Sequence, residues 1–305
     1  MSAPDLSVVV LSWNTKDLTL KCLSSLASDR SEFSREVVVV DNGSEDGSPD
    51  AIAALDGVRL VRNDTNAGYA AGNNQGVEFA EGRHVCLLNS DTEVRPGALD
   101  LVLRFLLDHG DYGAAAPRLV NLDGSVQRAC MRFPGLVTAL CYDSFFNKFP
   151  PGSWIEDRYF MREFDHLHSR DVPQPPGACF MMSRAEYTEM GGLDPELFLF
   201  FNDVDLCRRL WKKGRRIRYV AEAEVVHHGG ASTKGYTRFI VEWFRNRIAY
   251  YRKHYGPLSV PYLRLLVHLR AFEESVRAKR RHDDPADARA ECAYIRDCVK
   301  EILAP

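Results

Sequence analysis

Along the first hundred residues, short apolar runs alternate with amphipathic ones. Residues 7–12 (SVVVLS) read as a β-branched strand. Residues 16–27 follow with Leu18, Cys22, Leu23 and Leu26 at helical spacing. The alternation continues with a strand at 36–40, a short helix at 48–55, a strand at 58–63, a helix at 70–80 and a strand from Val85. Four strands with three intervening helices predict a doubly wound α/β sheet. Pro96 marks the start of a further helix over 97–109, apolar at Leu99, Val102, Leu103, Leu106 and Leu107.

The pattern breaks near Cys130. From 132 to 176, aromatic residues mix with Pro and Gly, which predicts a long loop or flap over the sheet edge. Order returns at 178–183. After Gly235 the chain reads as a helical tail over 237–254, 258–281 and a last helix near 287–303. The expected organisation is one α/β domain over 1–235 and a C-terminal helical region over 236–305.

Composition narrows the class only modestly. The 305 residues are 45% hydrophobic and 27% charged, an ordinary globular balance, and a net charge of −3 does not point to a nucleic-acid partner. The charge is uneven, because 204–281 is rich in Arg and Lys. Eight scattered cysteines without a CxxC pair read as reduced core thiols. No stretch approaches the roughly 20 apolar residues of a membrane span, and no leader pattern opens the chain, so a cytoplasmic location is expected.

Candidate chemistry begins where strands end. The run Val85-Cys86-Leu87-Leu88 leads straight into Asn89-Ser90-Asp91, and a carboxylate there suits a divalent cation carrying a diphosphate. The same segment is also good turn and N-cap material. Val37-Val38-Val39-Val40-Asp41 repeats the strand-then-Asp unit, so two strands deliver polar groups to one cleft. Asn66-Ala67-Gly68-Tyr69 through Asn73-Asn74 is a Gly/Asn-rich turn opening a helix, whose free N–H groups suit a nucleotide or sugar or serve close packing. His227 and His228 follow the strand-like 223–226, where an imidazole completes a metal shell. Gly229-Gly230 with Ser232 and Thr233 offers backbone donors to a phosphate. Asp203 and Asp205 sit in a first helical turn, where carboxylates act as bases or simply complement the helix dipole.

Taken in order, Ser12-Trp13-Asn14, Asp41-Asn42-Gly43-Ser44, Asn66 to Asn74, Asn89-Ser90-Asp91, Phe201-Asn202-Asp203-Val204-Asp205-Leu206 and His227-His228-Gly229-Gly230-Ala231-Ser232 resemble glycosyltransferase family 2, and most its rhamnosyltransferase-type branch. The resemblance covers about the first 255 residues. It implies a GT-A fold (Rossmann-like, with a doubly wound mixed sheet) bearing a C-terminal helical extension. It also implies inverting transfer from a nucleotide-sugar donor, favoured as dTDP-rhamnose, with a divalent metal, Mg²⁺ or Mn²⁺. On it, Asp91 and His227 are the metal ligands and Asp203 is the base. Ser12, Asn14, Asp41, Asn66, Gly68, Asn73, Asn89 and Gly177 line the nucleotide and donor. The sequence departs from the family where Asn89 and Asn202 stand at positions that often carry acids. A noncatalytic nucleotide-sugar-binding or membrane-interaction module on a decayed GT-A fold therefore stays open. A nicotinamide dehydrogenase is disfavoured, because no GxGxxG follows the first strand.

The implied acceptor is a saccharide or lipid-linked saccharide of cell-surface polysaccharide. The tail interleaves Trp243, Phe244, Tyr250 and Tyr251 with Arg245, Arg247, Arg252 and Lys253. Two readings stay open for it: peripheral contact with an anionic membrane on its inner face, or docking on the core or in a homodimer.

Overall fold

The computed structural model describes residues 3–142, 144–230 and 238–304. In chain order its elements are β1 Leu6–Ser12, α1 Lys16–Ser28, β2 Arg35–Asp41, α2 Ser48–Ala53, β3 Val58–Arg62, α3 Tyr69–Glu78, β4 His84–Asn89, β5 Thr92–Val94, α4 Ala98–Asp108 and β6 Tyr112–Val120. There follow α5 Leu136–Cys141, a 3₁₀ turn Phe145–Lys148, α6 Gly152–Tyr159, β7 Arg170–Asp171, β8 Cys179–Ser183, α7 Arg184–Glu189, α8 Asn202–Lys212 and β9 Arg216–His227. The helices α9 Phe239–Tyr255, α10 Ser259–Arg281 and α11 Pro285–Leu303 close the chain.

Two compact units form. The first comprises Met1–Phe133, Phe164–Phe198 and Asn202–Gly235; the second comprises Pro134–Glu163, Leu199–Phe201 and Tyr236–Pro305. Two segments that the sequence reading assigned to the first part thus cluster with the tail.

The first unit is built on a mixed sheet ordered β3-β2-β1-β4-β8-β6-β9-β5, with β7 beside β9. The strands β3, β2, β1 and β4 run parallel, whereas β8 is antiparallel to both β4 and β6. Alternation along each strand serves both faces. Val8, Val10, Cys86 and Leu88 join the cluster that includes Leu23 and Leu26 of α1 and Leu99 and Leu103 of α4. Val9, Val85 and Leu87 join Val77 of α3 and Leu206 and Leu210 of α8. That two-sided burial explains why these strands read as unbroken apolar runs. Each fully buried Leu or Val contributes roughly 1.5–3 kcal/mol relative to exposure. All eight cysteines are unpaired, and seven are buried.

In the second unit α9, α10 and α11 pack around Val241, Val267 and Ile302. Arg247 is buried there, with its guanidinium 5.0 Å from the Trp243 ring, and donates to Ala139 O. The expected loop over 132–176 is corrected: it holds α5, the 3₁₀ turn, α6 and β7. These pieces are too short, and too often broken by Pro and Gly, to leave a periodic signal.

Candidate active site

Parallel register brings three strand ends to one edge. Ser12 pairs with Asp41 across β1 and β2, and Leu11 with Asn89 across β1 and β4. Asp41 is 1% exposed; its Oδ1 accepts from Ser44 N at 2.9 Å, while its buried Oδ2 has no partner among the described residues. The Asn14 backbone is left-handed at φ 51°, its Oδ1 accepts from Glu45 N, and its own N–H donates to Ser44 Oγ. Asn14 therefore knits the end of β1 to the Asp41 turn. Ser12 points elsewhere: its buried hydroxyl is 2.9 Å from Thr19 Oγ1 in α1.

Asn42 organises the next loop. Its Nδ2 donates to Asn66 Oδ1 and Gly68 O, and its Oδ1 accepts from Ala67 N and Asn63 Nδ2. Gly68 has φ 88°, and a Cβ there would sit 2.5 Å from Phe198 Cδ2 and 2.7 Å from Phe198 O. Glycine is required both by backbone conformation and by space. Asn73 donates to Tyr69 O, and Asn74 ties α3 to Leu193, so both amides serve the loop's architecture.

Tyr69 opens α3 and joins parts that the sequence reading named separately. Its hydroxyl lies 3.2 Å from Asn89 Oδ1 and 3.3 Å from Gly177 O. Asn89 N in turn donates to Ala178 O. The chain then turns through Ser90 to Asp91, and β5 pairs antiparallel with β9, so that Thr92 faces His227.

Asp91 and His227 meet, with Oδ1 and Nε2 3.5 Å apart. Gln127 sets the imidazole. Its Nε2 donates to Asn121 Oδ1 and His227 O, which leaves its Oε1 facing His227 Nδ1 at 3.0 Å. An amide oxygen only accepts, so Nδ1 carries a proton and Nε2 is the ring nitrogen turned toward Asp91. His228 goes elsewhere: its backbone N–H donates to Asp91 O and its Nε2 lies 2.8 Å from Glu93 Oε1. Ser232 and Thr233 lie outside the described residues.

The third group lies at the start of α8. Asp203 Oδ1 accepts from Val204 N at 2.8 Å, and Oδ2 accepts from Gln174 Nε2 at 3.3 Å. Burial pushes the Asp203 carboxyl above the usual carboxylate range. Gly177 borders it: a Cβ there would be 2.9 Å from Asp203 Oδ2. The residue before α8, Phe201, takes φ 65°. Asp205 is fully buried and pairs with Arg209 Nε at 2.8 Å, while Arg209 also donates to Met190 O and Gly192 O. That pair holds the 190–192 turn to α8 and is structural.

Among the described residues no three His, Cys, Asp or Glu side chains gather as a metal set. Asp91 with His227 supplies one carboxylate oxygen and one imidazole nitrogen. Such a pair fits a cation that takes its remaining ligands from a diphosphate and water, as Mg²⁺ and Mn²⁺ do, and does not fit a closed structural zinc site. Three organising residues escaped the sequence reading. Gln127 and Gln174 belong to no motif, and Tyr69, though it lies inside the Asn66–Asn74 segment, was given no role of its own; only the hydrogen-bond geometry reveals all three.

Solved structures place the architecture in a class. The mannosyltransferase PcManGT from Pyrobaculum calidifontis, in complex with GDP-Man and Mn²⁺, superposes with a TM-score of 0.56 at 16% identity, covering 99% of this chain and 88% of that one. GalNAc-T7 with UDP, GalNAc and Mn²⁺ gives a TM-score of 0.58 at 16% identity over 83% of this chain, which spans 51% of that protein. The fold is GT-A, a mixed α/β sheet with C-terminal helices. The family model described as glycosyl transferase family 2 matches residues 7–190. N-acetylglucosaminyl-diphospho-decaprenol L-rhamnosyltransferase of Mycobacterium tuberculosis is 30% identical over 221 residues, 68% of this chain and 70% of its own length. The chain belongs to glycosyltransferase family 2, whose members are transferases of glycan synthesis.

Proposed function

We propose that this protein transfers a sugar, with inversion, from a nucleotide-sugar to a saccharide on a lipid diphosphate, with rhamnose from dTDP-rhamnose as the favoured donor. One observation carries the transfer reading: a carboxylate–imidazole pair and a separate carboxylate of raised pKa stand on elements linked through Asn89, Tyr69 and Gly177. The choice of rhamnose rests on the similarity to the mycobacterial enzyme, whose name also supplies the lipid-linked acceptor.

In this reading Asp41, with Asn14 and the Asn66–Gly68 turn, holds the nucleoside; the orphan Oδ2 accepts from an imide N–H of the base or a ribose hydroxyl. Ser12 and Asn73 support that edge from beneath rather than touch the ligand. Asp91 and His227 would hold a divalent cation, which, when bound, neutralises charge developing on the departing diphosphate. Asn89 and Gly177 frame the donor sugar. Asp203 takes the proton from the acceptor hydroxyl, whose oxygen bonds to the anomeric carbon while the carbon–phosphate oxygen bond breaks and its electron pair leaves with the nucleoside diphosphate. A carboxylate whose pKa is raised by desolvation is a stronger proton acceptor than a fully solvated one.

We place catalysis in residues 1–235 and assign the helical region 236–305 to peripheral membrane contact. That region carries 14 Lys and Arg against 9 Asp and Glu. It also exposes Leu258, Leu265 and Phe272 at 86%, 64% and 68%. Among the described residues no helix is long and apolar enough to cross a membrane. Sedimentation with anionic vesicles tests the contact, and light scattering tests the competing homodimer.

The deciding experiment is product analysis with dTDP-rhamnose, UDP-N-acetylglucosamine and GDP-mannose as donors and an N-acetylglucosaminyl diphospho-prenol as acceptor. Rhamnosyl transfer with a β-configured donor giving an α-linked product supports the reading. Nucleotide binding without turnover of any donor replaces it with the noncatalytic module.

A further inference from the structure

The segment Val172-Pro173-Gln174-Pro175-Pro176 leads into Gly177 and contains no motif, yet its central residue is held firmly. Gln174 N donates to Met131 O and Gln174 O accepts from Met131 N, an isolated antiparallel bridge that fixes the backbone. The side chain is 3% exposed. A carboxylate only accepts, so the amide must offer Nε2 to Asp203 Oδ2, and this sets Oε1 facing away from it. That Oε1 is buried and has no partner among the described residues.

Asn202 adjoins Asp203 in the chain and is 2% exposed. Neither its Oδ1 nor its Nδ2 has a partner among the described residues. Buried amide groups are almost always paired in folded proteins, yet three unpaired atoms fall on Gln174, which bonds Asp203, and on Asn202, its neighbour in the chain.

We propose that Gln174 and Asn202 form the subsite for the acceptor sugar. The inference rests on the reading of Asp203 as the base: a group hydrogen-bonded to the base borders the hydroxyl that the base deprotonates. Asp41 ends β2, and Asp91 and His227 follow β4 and end β9, whereas the amides stand on the loop before Gly177 and at the start of α8, so we assign them to the acceptor and not to the nucleotide. Gln174 Oε1 accepts from a hydroxyl or an acetamido N–H next to the attacking hydroxyl. The Asn202 amide offers one acceptor and two protons to the same ring. Both side chains are neutral, which suits an uncharged sugar ring carrying both donors and acceptors and disfavours direct contact with a phosphate. Asn202 therefore does chemistry different from that of an acid at the same position.

The test uses the full chain, dTDP-rhamnose with Mn²⁺, and N-acetylglucosaminyl diphosphate on a short prenyl chain, together with deoxy analogues lacking one sugar hydroxyl each. Gln174→Leu removes both polar atoms at similar volume. It is expected to raise the acceptor KM about tenfold, the value of one good neutral hydrogen bond, with dTDP affinity unchanged. One deoxy analogue should lose about tenfold with the wild type and nothing further with the variant. A Gln174→Met variant repeats the cycle should the leucine variant melt early. Calorimetric titration of the acceptor alone gives the same comparison without turnover. An unchanged acceptor KM, an equal loss of dTDP affinity, or no acceptor binding by the wild type overturns the subsite. Gln174-dependent acceptor binding without any sugar transfer supports the subsite and removes the transfer reading instead.

Discussion

Replacing Gly177 with alanine tests whether the close approach of the turn before β8 to Asp203 sets the catalytic geometry. The new Cβ would sit 2.9 Å from Asp203 Oδ2, 3.0 Å from its Cβ and 3.2 Å from its Cγ, where ordinary contacts begin at 3.4 Å. The shortfall at Oδ2, 3.4 less 2.9, is half an ångström. Neither side yields cheaply. Cys179, two residues on, is fully buried in the sheet, and Asp203 Oδ1 is tied to Val204 N. The overlap is therefore relieved by displacing the carboxylate, which lengthens a Gln174 bond already at 3.3 Å. Overpacking of this kind costs about 1–3 kcal/mol of stability. A misplacement of about 1 Å costs roughly 10²-fold in rate, so half of that predicts a kcat loss of about tenfold. Steady-state kinetics and thermal melting on the same preparation read both quantities, and the affinity for dTDP is expected to stay constant. A variant that is destabilised but keeps wild-type kcat refutes the reasoning, because the displaced carboxylate would then not be the base.

Three further outcomes follow from the same geometry. Asp203→Asn should lower transfer by at least about 10²-fold. Burial raises the Asp203 pKa, so the folded chain holds this proton more tightly than the unfolded chain; the charged form weakens the fold above the usual carboxylate range, and the penalty is relieved as pH falls through the raised pKa. The variant is therefore expected to melt higher than wild type at pH 7.5, with the gap closing toward pH 4 in a melting series. Gln127→Ala frees the His227 tautomer and should weaken Mn²⁺ binding in the presence of dTDP about 10- to 100-fold by calorimetry, with the fold intact by circular dichroism. Arg209→Ala takes the cation from fully buried Asp205 and two donors from the 190–192 turn; denaturant unfolding should register a loss of about 3–5 kcal/mol.

The legible parts of this chain were those whose side chains carry one clear period. The strands β1, β2 and β4 are β-branched or leucine-rich on both faces, and the sequence located them and the polar groups at their ends. The strand β6, YGAAAPRLV, is poor in strand-favouring residues, and β9, RIRYVAEAEVVH, mixes charge into its alternation, so only its apolar end could be read. The short helices α5 and α6 fall below the length at which a helical period emerges. At the candidate site, charged residues beside turns were visible: Asp41, Asp91, Asp203 and His227. Which partner each side chain chooses was not. Ser12 turns to Thr19, His228 to Glu93 and Asp205 to Arg209, choices decided by packing across elements distant in sequence. Gln174 was hidden by three prolines that read as loop, and Gln127 by a segment without any periodic signal.

The central claim is that Asp91 and His227 engage a metal-bound nucleoside diphosphate. Calorimetric titration of dTDP, UDP and GDP, each with and without Mn²⁺, into wild type and Asp91→Ala tests it most directly. The account predicts that dTDP binds best, that binding requires Mn²⁺, and that Asp91→Ala abolishes the metal-dependent part. Binding that is equally tight without Mn²⁺ and unaltered by Asp91→Ala would contradict it.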